Sequence, residues 1–267
     1  MCSLNRYMED QALDIHFKQI NEIGVLELDR SPANCLSIDF LVELANVLEQ
    51  IEVNQYLRSV IITSSNTYVF SSGLDLKNLM SDRREKMEND VYNAVFFVYQ
   101  IAKSIMTSKK IFIGALSGAV IGSAVSIALA CDILVGTADT WLWLPDPQYG
   151  GLLADGGLDL LVSHVGVSRA KIAALTNQRI NSPQLLEWGL LYKIVKAENL
   201  YETAFSEAGR LSRLSSQTLR YTKQLINENV FQPFKDAELR RVLRDSALYD
   251  RLQHYISHSK GESNVVT

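Results

Sequence analysis

The chain has 267 residues, 47% of them hydrophobic and 21% charged, with a formal net charge of −4 at pH 7. That length accommodates one large packed domain or a domain with a helical extension. The acidic balance speaks against nucleic acid or a membrane surface as the main partner, and no run approaches the ~18 apolar residues of a spanning helix.

In chain order, residues 13–20 alternate with period two and are followed, after Asn21-Glu22, by the apolar run 24–28; together they predict a hairpin. Arg30-Ser31-Pro32-Ala33-Asn34 reads as a loop, and Ser37 as the cap of a helix over 38–52 with apolar residues at helical spacing. Val60-Ile61-Ile62 is a buried strand, and a long helix is predicted over 82–108, charged at its start and apolar later. Strands follow at 111–113, 132–135 and 141–144, with a helix of small residues over 123–130 between the first two. Beyond that the pattern is almost all helical; Ser182-Pro183 opens one helix and Gly189 ends it. Strands alternating with helices to about residue 145 predict an α/β fold with a largely parallel sheet. Residues 261–267 are polar enough to fray.

Two segments carry the chemistry. Phe70-Ser71-Ser72-Gly73-Leu74-Asp75 follows the run 59–63, and Gly118-Ala119-Val120-Ile121-Gly122-Ser123-Ala124 follows the run 111–116. Each puts small residues where a strand gives way to a loop or helix, so that a ligand can approach main-chain N–H groups. Two such N–H groups on one carbonyl oxygen form an oxyanion hole, which stabilises enolate-like charge and points to thioester chemistry.

Other features point away from rival chemistries. Cys2, Cys35 and Cys131 are too scattered for a disulfide framework or zinc site, which suits a reducing, intracellular setting. Residues 1–11 show no secretory or transit pattern, so a soluble cytoplasmic protein is expected. His16, His254 and His258 lack metal-ligand spacing with a cysteine, and His164, on an apolar helix, reads as a satisfied histidine. The run from Asp82 to Asp90 mixes both charges and reads as a solvated helix start. There is no dinucleotide loop and no phosphate-binding loop of the Walker kind.

With these residues in view, the chain resembles the crotonase family, the enoyl-CoA hydratase/isomerase superfamily, over roughly residues 13–250. The Arg30-to-Asn34 loop is similar to the family's loop before its first helix, the 70–76 segment to its first oxyanion loop and the 117–132 segment to its second. Pro145-Asp146-Pro147-Gln148-Tyr149-Gly150 falls where the family carries a catalytic acid. Ser31 to Ser37 and Ser72 to Leu76 are most similar to the mitochondrial Δ3,Δ2-enoyl-CoA isomerases, which leaves a mitochondrial matrix address open.

The resemblance implies a spiral of repeated ββα units over 1–200, a helical region over 201–267 for trimerisation and active-site cover, and assembly as a homotrimer or dimer of trimers. It implies an acyl-CoA substrate, with coenzyme A as part of that substrate and no other cofactor. Ser72 and Ser123 would supply the oxyanion N–H groups and Asp146 the acid. Ala33, Ser71, Gly73, Leu74, Asp75, Gly122, Asp155 and Lys223 would contact the substrate. Lys77, Lys109, Lys110 and Lys223 are the candidate cations for the CoA phosphates.

Hydration needs a base and an acid. The family's first acid falls at Ser126, which cannot serve, so hydration is not expected. Moving a double bond from the 3- to the 2-position needs only one carboxylate, which fits an isomerase with Asp146 as proton shuttle. Aspartate is one methylene shorter than the family's glutamate, about 1.5 Å in reach, and a misplacement near ~1 Å costs on the order of 100-fold in rate. Pro145 and Pro147 would hold that backbone extended. Asp155 is either a helix cap or, if it faces the cavity, a second base. Trp141, Trp143 and Tyr149 are expected in the core. A decarboxylase, a thioester hydrolase and a non-catalytic acyl-CoA-binding or assembly protein remain as alternatives.

Overall fold

The computed structural model describes residues 14–81, 83–230 and 232–259. The opening segment with Cys2, Asp82 of the charged run, and the polar end at 261–267 lie outside the described residues, as does the His258 side chain. The expected hairpin is β1 (Ile15–Ile20) and β2 (Ile23–Leu28), turned at Asn21 with φ 55°. Helix α1 (Ile38–Val53) starts at Ser37, whose hydroxyl accepts the Phe40 N–H at 3.2 Å.

Three ββα units then follow. The first is β3 (Ser59–Ser64), β4 (Val69–Ser71) and, after the short helix α2 (Leu76–Leu79), the long helix α3 (Arg84–Thr107). The second is β5 (Ile111–Leu116), β6 (Ala119–Ile121) and α4 (Ser123–Leu129). The third is β7 (Ile133–Thr137), β8 (Trp141–Trp143) and, after the turn α5 (Asp146–Tyr149), α6 (Gly157–Leu175). The chain closes with β9 (Ile180–Asn181), α7 (Ser182–Glu187), β10 (Lys193–Val195), α8 (Leu200–Ser212), α9 (Ser216–Asn227), α10 (Asp236–Leu243) and α11 (Ser246–Ser259).

The first strand of each unit joins a six-stranded sheet ordered β1-β2-β3-β5-β7-β10, parallel except for the β1–β2 hairpin. The second strand joins a four-stranded sheet ordered β4-β6-β8-β9. The short strands β4, β6, β9 and β10 escape sequence patterning because two or three residues cannot display a period.

Alternation along β3 and β5 buries both faces of the large sheet. Val60, Ile62 and Phe112 face α1, α3 and α4, whereas Ile61, Ile111 and Ile113 pack with Ala204, Ala208 and Leu211 of α8. Helix α8, which begins at residue 200, therefore seals the sheet from behind. The parallel β4–β6 pair matters most for function. It places the ends of two chain-distant strands next to each other, and with them the loops at 72–75 and 122–123.

Candidate active site

Loop 72–75 leaves β4 through Gly73, at φ 79°. A Cβ at Gly73 would lie 2.6 Å from the Ile121 carbonyl oxygen and 3.4 Å from the Ser123 nitrogen, so both the backbone angle and the space demand glycine. Gly122 (φ 54°) turns β6 into α4 and donates its own N–H to the Trp143 oxygen at 2.9 Å. Ser123 is the first residue of α4, whose N–H has no partner inside the helix.

The structure corrects one expected donor. The Ser72 N–H donates to the Ala33 oxygen at 3.0 Å and is therefore occupied. Leu74 is bridged in parallel to Leu36, with Leu36 N–H donating to the Gly73 oxygen at 2.8 Å and Asp75 N–H to the Leu36 oxygen at 3.1 Å. That ladder uses the atoms on either side of the Leu74 nitrogen and leaves its N–H facing the other way. Among the described residues, the Leu74 and Ser123 N–H groups are the pair at this junction with no hydrogen-bonded acceptor. The glycine at 73 was the available signal: by reversing the backbone it exposes the N–H of the residue after it.

Several expected substrate contacts brace the loop instead. Ser71 Oγ donates to the Asn34 oxygen at 2.7 Å and accepts the Gly73 N–H. Ala33 supplies the carbonyl that holds Ser72. Asp75 caps α2 through the Asn78 N–H and lies 3.7 Å from the Arg30 guanidinium.

Lys223 is also corrected. It is buried, with Nζ at 2.8 Å from Asp132 and donating to the Ile105 and Lys110 carbonyls, so its charge is neutralised inside the chain. Lys110 is likewise internal, donating to the Asn54 oxygen, and Lys109 faces Glu52 at 3.6 Å.

Asp146 opens α5, a helical turn rather than the extended stretch expected from its flanking prolines; Pro145 has ψ near 1° and Gly150, at φ 73°, ends the turn. Gln148 ties this turn down. Its amide oxygen accepts from Asn177, which in turn accepts the Trp143 indole N–H, and its backbone oxygen accepts from Arg251 of α11. Asn177 and Arg251 carried no sequence signal because they reach this turn only through the tertiary fold. Trp141 and Trp143 are half-buried rather than core residues, with the Arg179 guanidinium over both rings. Tyr149 is half-buried and packs edge-on to Tyr255 of α11. His164 is satisfied by the Leu129 oxygen at 3.1 Å, as expected.

Asp146 Oδ2 is buried and has no hydrogen-bond partner among the described residues. Burial, and then the nearby Asp155 charge, push its pKa up to about 7. Asp155 is 1% exposed. Its Oδ1 accepts from the Ser126 hydroxyl at 2.6 Å and from the Gly157 N–H at 3.2 Å, while its Oδ2 also lacks a partner. Burial raises the Asp155 pKa, and the Ser126, Ser123 and Gly157 donors oppose that rise. Asp155 thus accepts from the first residue of α6, as a cap would, and stands within electrostatic range of Asp146. Among the described residues no cluster of His, Cys, Asp and Glu could hold a metal, and no helix is long and apolar enough to cross a membrane.

Comparison with known proteins agrees with this architecture. The structure matches that of human mitochondrial delta3-delta2-enoyl-CoA isomerase with a TM-score of 0.85, covering 94% of this chain and 100% of that one at 22% identity, a likeness of fold. A Bacillus subtilis (strain 168) protein named "probable enoyl-CoA hydratase" is 30% identical over 208 residues, 78% of this chain and 79% of that relative. The trans-2-decenoyl-[acyl-carrier-protein] isomerase of Streptococcus mutans is 26% identical over 235 residues, 84% of this chain and 88% of its own length. The family model for enoyl-CoA hydratase/isomerase matches residues 18–262, the loops at 72–75 and 122–123 and the Asp146 turn included, and the chain belongs to that family.

Proposed function

We propose that the protein moves a carbon–carbon double bond of an enoyl-CoA thioester from the 3- to the 2-position. The Leu74 and Ser123 N–H groups hold the thioester oxygen, and Asp146 removes a proton at C2 and returns it at C4. The dienolate formed between those steps carries its charge on the oxygen, where preorganised N–H donors stabilise it most. The observation that carries this reading is Asp146 itself: a carboxylate with one buried, unpartnered oxygen and a pKa near neutrality can both take and give a proton. Lys77, exposed on α2 just beyond the Leu74 loop, is the cation for the CoA phosphates. Exposed apolar side chains on α6 and α9 support self-association as a trimer or dimer of trimers.

Conversion of a 3-enoyl-CoA to the conjugated isomer, followed by the absorbance of the conjugated product, tests the reading. Asp146→Ala should lower turnover by about 10²–10⁴-fold. The wild-type rate should rise with pH through about 7 as Asp146 ionises. Unchanged turnover in Asp146→Ala, or no turnover by wild-type protein that binds acyl-CoA, excludes this function.

A further inference from the structure

Trp143 stands between the two halves of the site. Its backbone pairs with Ile121 in the β6–β8 ladder, and its carbonyl oxygen accepts the Gly122 N–H at 2.9 Å, on the turn that presents the Ser123 N–H. Just beyond it the chain leaves β8 and enters the turn that carries Asp146. The Trp143 indole N–H donates to Asn177 Oδ1 at 2.9 Å and to the Asn177 backbone oxygen at 3.1 Å, while Asn177 Nδ2 donates to Gln148 Oε1 at 2.7 Å. Residues 143–148 are therefore closed into a loop, with Asn177 as the clasp between its ends and Asp146 inside it. The ladder fixes one end of that loop to the oxyanion turn, and the clasp fixes the other end to the first.

Asn177 suits this task. Its φ of 54° lies in the left-handed region, where asparagine is enriched over most residues. Its amide offers an acceptor to the indole and a donor to Gln148 at the same time. The bond to Gln148 is exposed and exchanges with water almost evenly, so it adds little to stability. Its weight for a reacting carboxylate is greater, since a displacement of about 1 Å costs on the order of 100-fold in rate. We propose that Asn177 is a positioning residue for the double-bond shift: the Trp143–Asn177–Gln148 chain couples the Asp146 turn to the oxyanion donors, so that the shuttling carboxylate and the thioester oxygen keep one separation. This rests on the reading of Asp146 as the proton shuttle. Asn177 acts only through Trp143 and Gln148, so its loss slows proton transfer and leaves thioester binding as it was.

The test measures kcat and KM for a 3-enoyl-CoA. Asn177→Gly removes both amide atoms and accepts the positive φ without strain. Its kcat should fall about tenfold while KM stays within about twofold. Trp143→Phe keeps a ring but loses the indole N–H, and should show a similar fall. The double variant should be no slower than Asn177→Gly alone, because both changes break one chain. Asn177→Asp keeps the acceptor for the indole, and Gln148 can turn its amide to donate to the second carboxylate oxygen, so most of the wild-type kcat should return. Wild-type kcat in Asn177→Gly or Trp143→Phe overturns this inference alone. So do additive losses in the double variant, a KM that rises as kcat falls, or an Asn177→Asp no faster than Asn177→Gly. If Asn177→Gly does not fold, Trp143→Phe and Asn177→Asp carry the same test. Absence of turnover in wild-type protein that binds acyl-CoA overturns the shuttle reading, and this inference with it.

Discussion

Asp146 sits where protein and solvent compete for one proton. Its pKa rises from 3.8 to about 7 on folding, so the folded chain binds a proton that the unfolded chain releases above about pH 4. The stability this represents is present below that pH and is lost as pH rises through about 7. Asp146→Asn should therefore unfold at nearly the wild-type denaturant midpoint at pH 4 and be the more stable protein at pH 8. The ceiling on that gain is roughly 4 kcal/mol, at ~1.4 kcal/mol per decade of proton affinity. An equal difference at both pH values would show that Asp146 is not held in this way. Gly73 is the complementary case, a backbone requirement rather than a charge. Gly73→Ala places a methyl against the Ile121 oxygen at a φ of 79°, so it should cost at least ~1 kcal/mol and shift the Leu74 and Ser123 N–H groups apart. Its signature is a fall in kcat larger than any change in KM.

Among the elements, α9 shows how a plausible ligand residue becomes a structural one. Lys223 reads from sequence as a cation for phosphate because one lysine on an amphipathic helix looks like another. In the fold its amine is inserted between α3, β5 and Asp132 and finds three acceptors. Removing one partner of a buried ion pair typically costs 3–5 kcal/mol, since the other is left unpaired. Lys223→Ala should thus lower the unfolding free energy by about that amount, while acyl-CoA affinity of the folded protein stays unchanged; weakened affinity at unaltered stability would restore the ligand role. The turn α5 gives the same lesson from the other side. Its flanking prolines suggested extended chain, but Pro145 and Gly150 bracket one helical turn that Gln148, Asn177 and Arg251 pin in place.

At the scale of the molecule, Leu175, Leu225 and Ile226 are 71%, 72% and 68% exposed. Such exposed apolar side chains suit an interface between copies of this chain. The double substitution Leu225→Asp with Ile226→Asp should reduce the sedimenting mass below that of the wild type, and a wild-type protein that sediments as a monomer would remove the proposed trimer. Much of the fold was legible in advance because it depends on local periodicity and punctuation. The hairpin over 15–28, the Ser37 cap, the buried runs at 60–62 and 111–113 and the helix of small residues after Gly122 each sit within one short window, and each forms as expected. By the same local logic, the sequence alone placed glycines and small residues at 71–73 and 118–123, where β4 and β6 end and the chain turns. What it could not determine was which groups remain available once every neighbour has taken its hydrogen bond. Pairing of β4 with β6, the Leu36–Leu74 bridge and the Ser126–Asp155 contact join residues 29 to 50 positions apart. Those contacts, with the Ala33 carbonyl that takes the Ser72 N–H, leave Leu74 open and hold a second carboxylate near the first, because partner choice inside a packed protein is a property of distance in space and not of order along the chain.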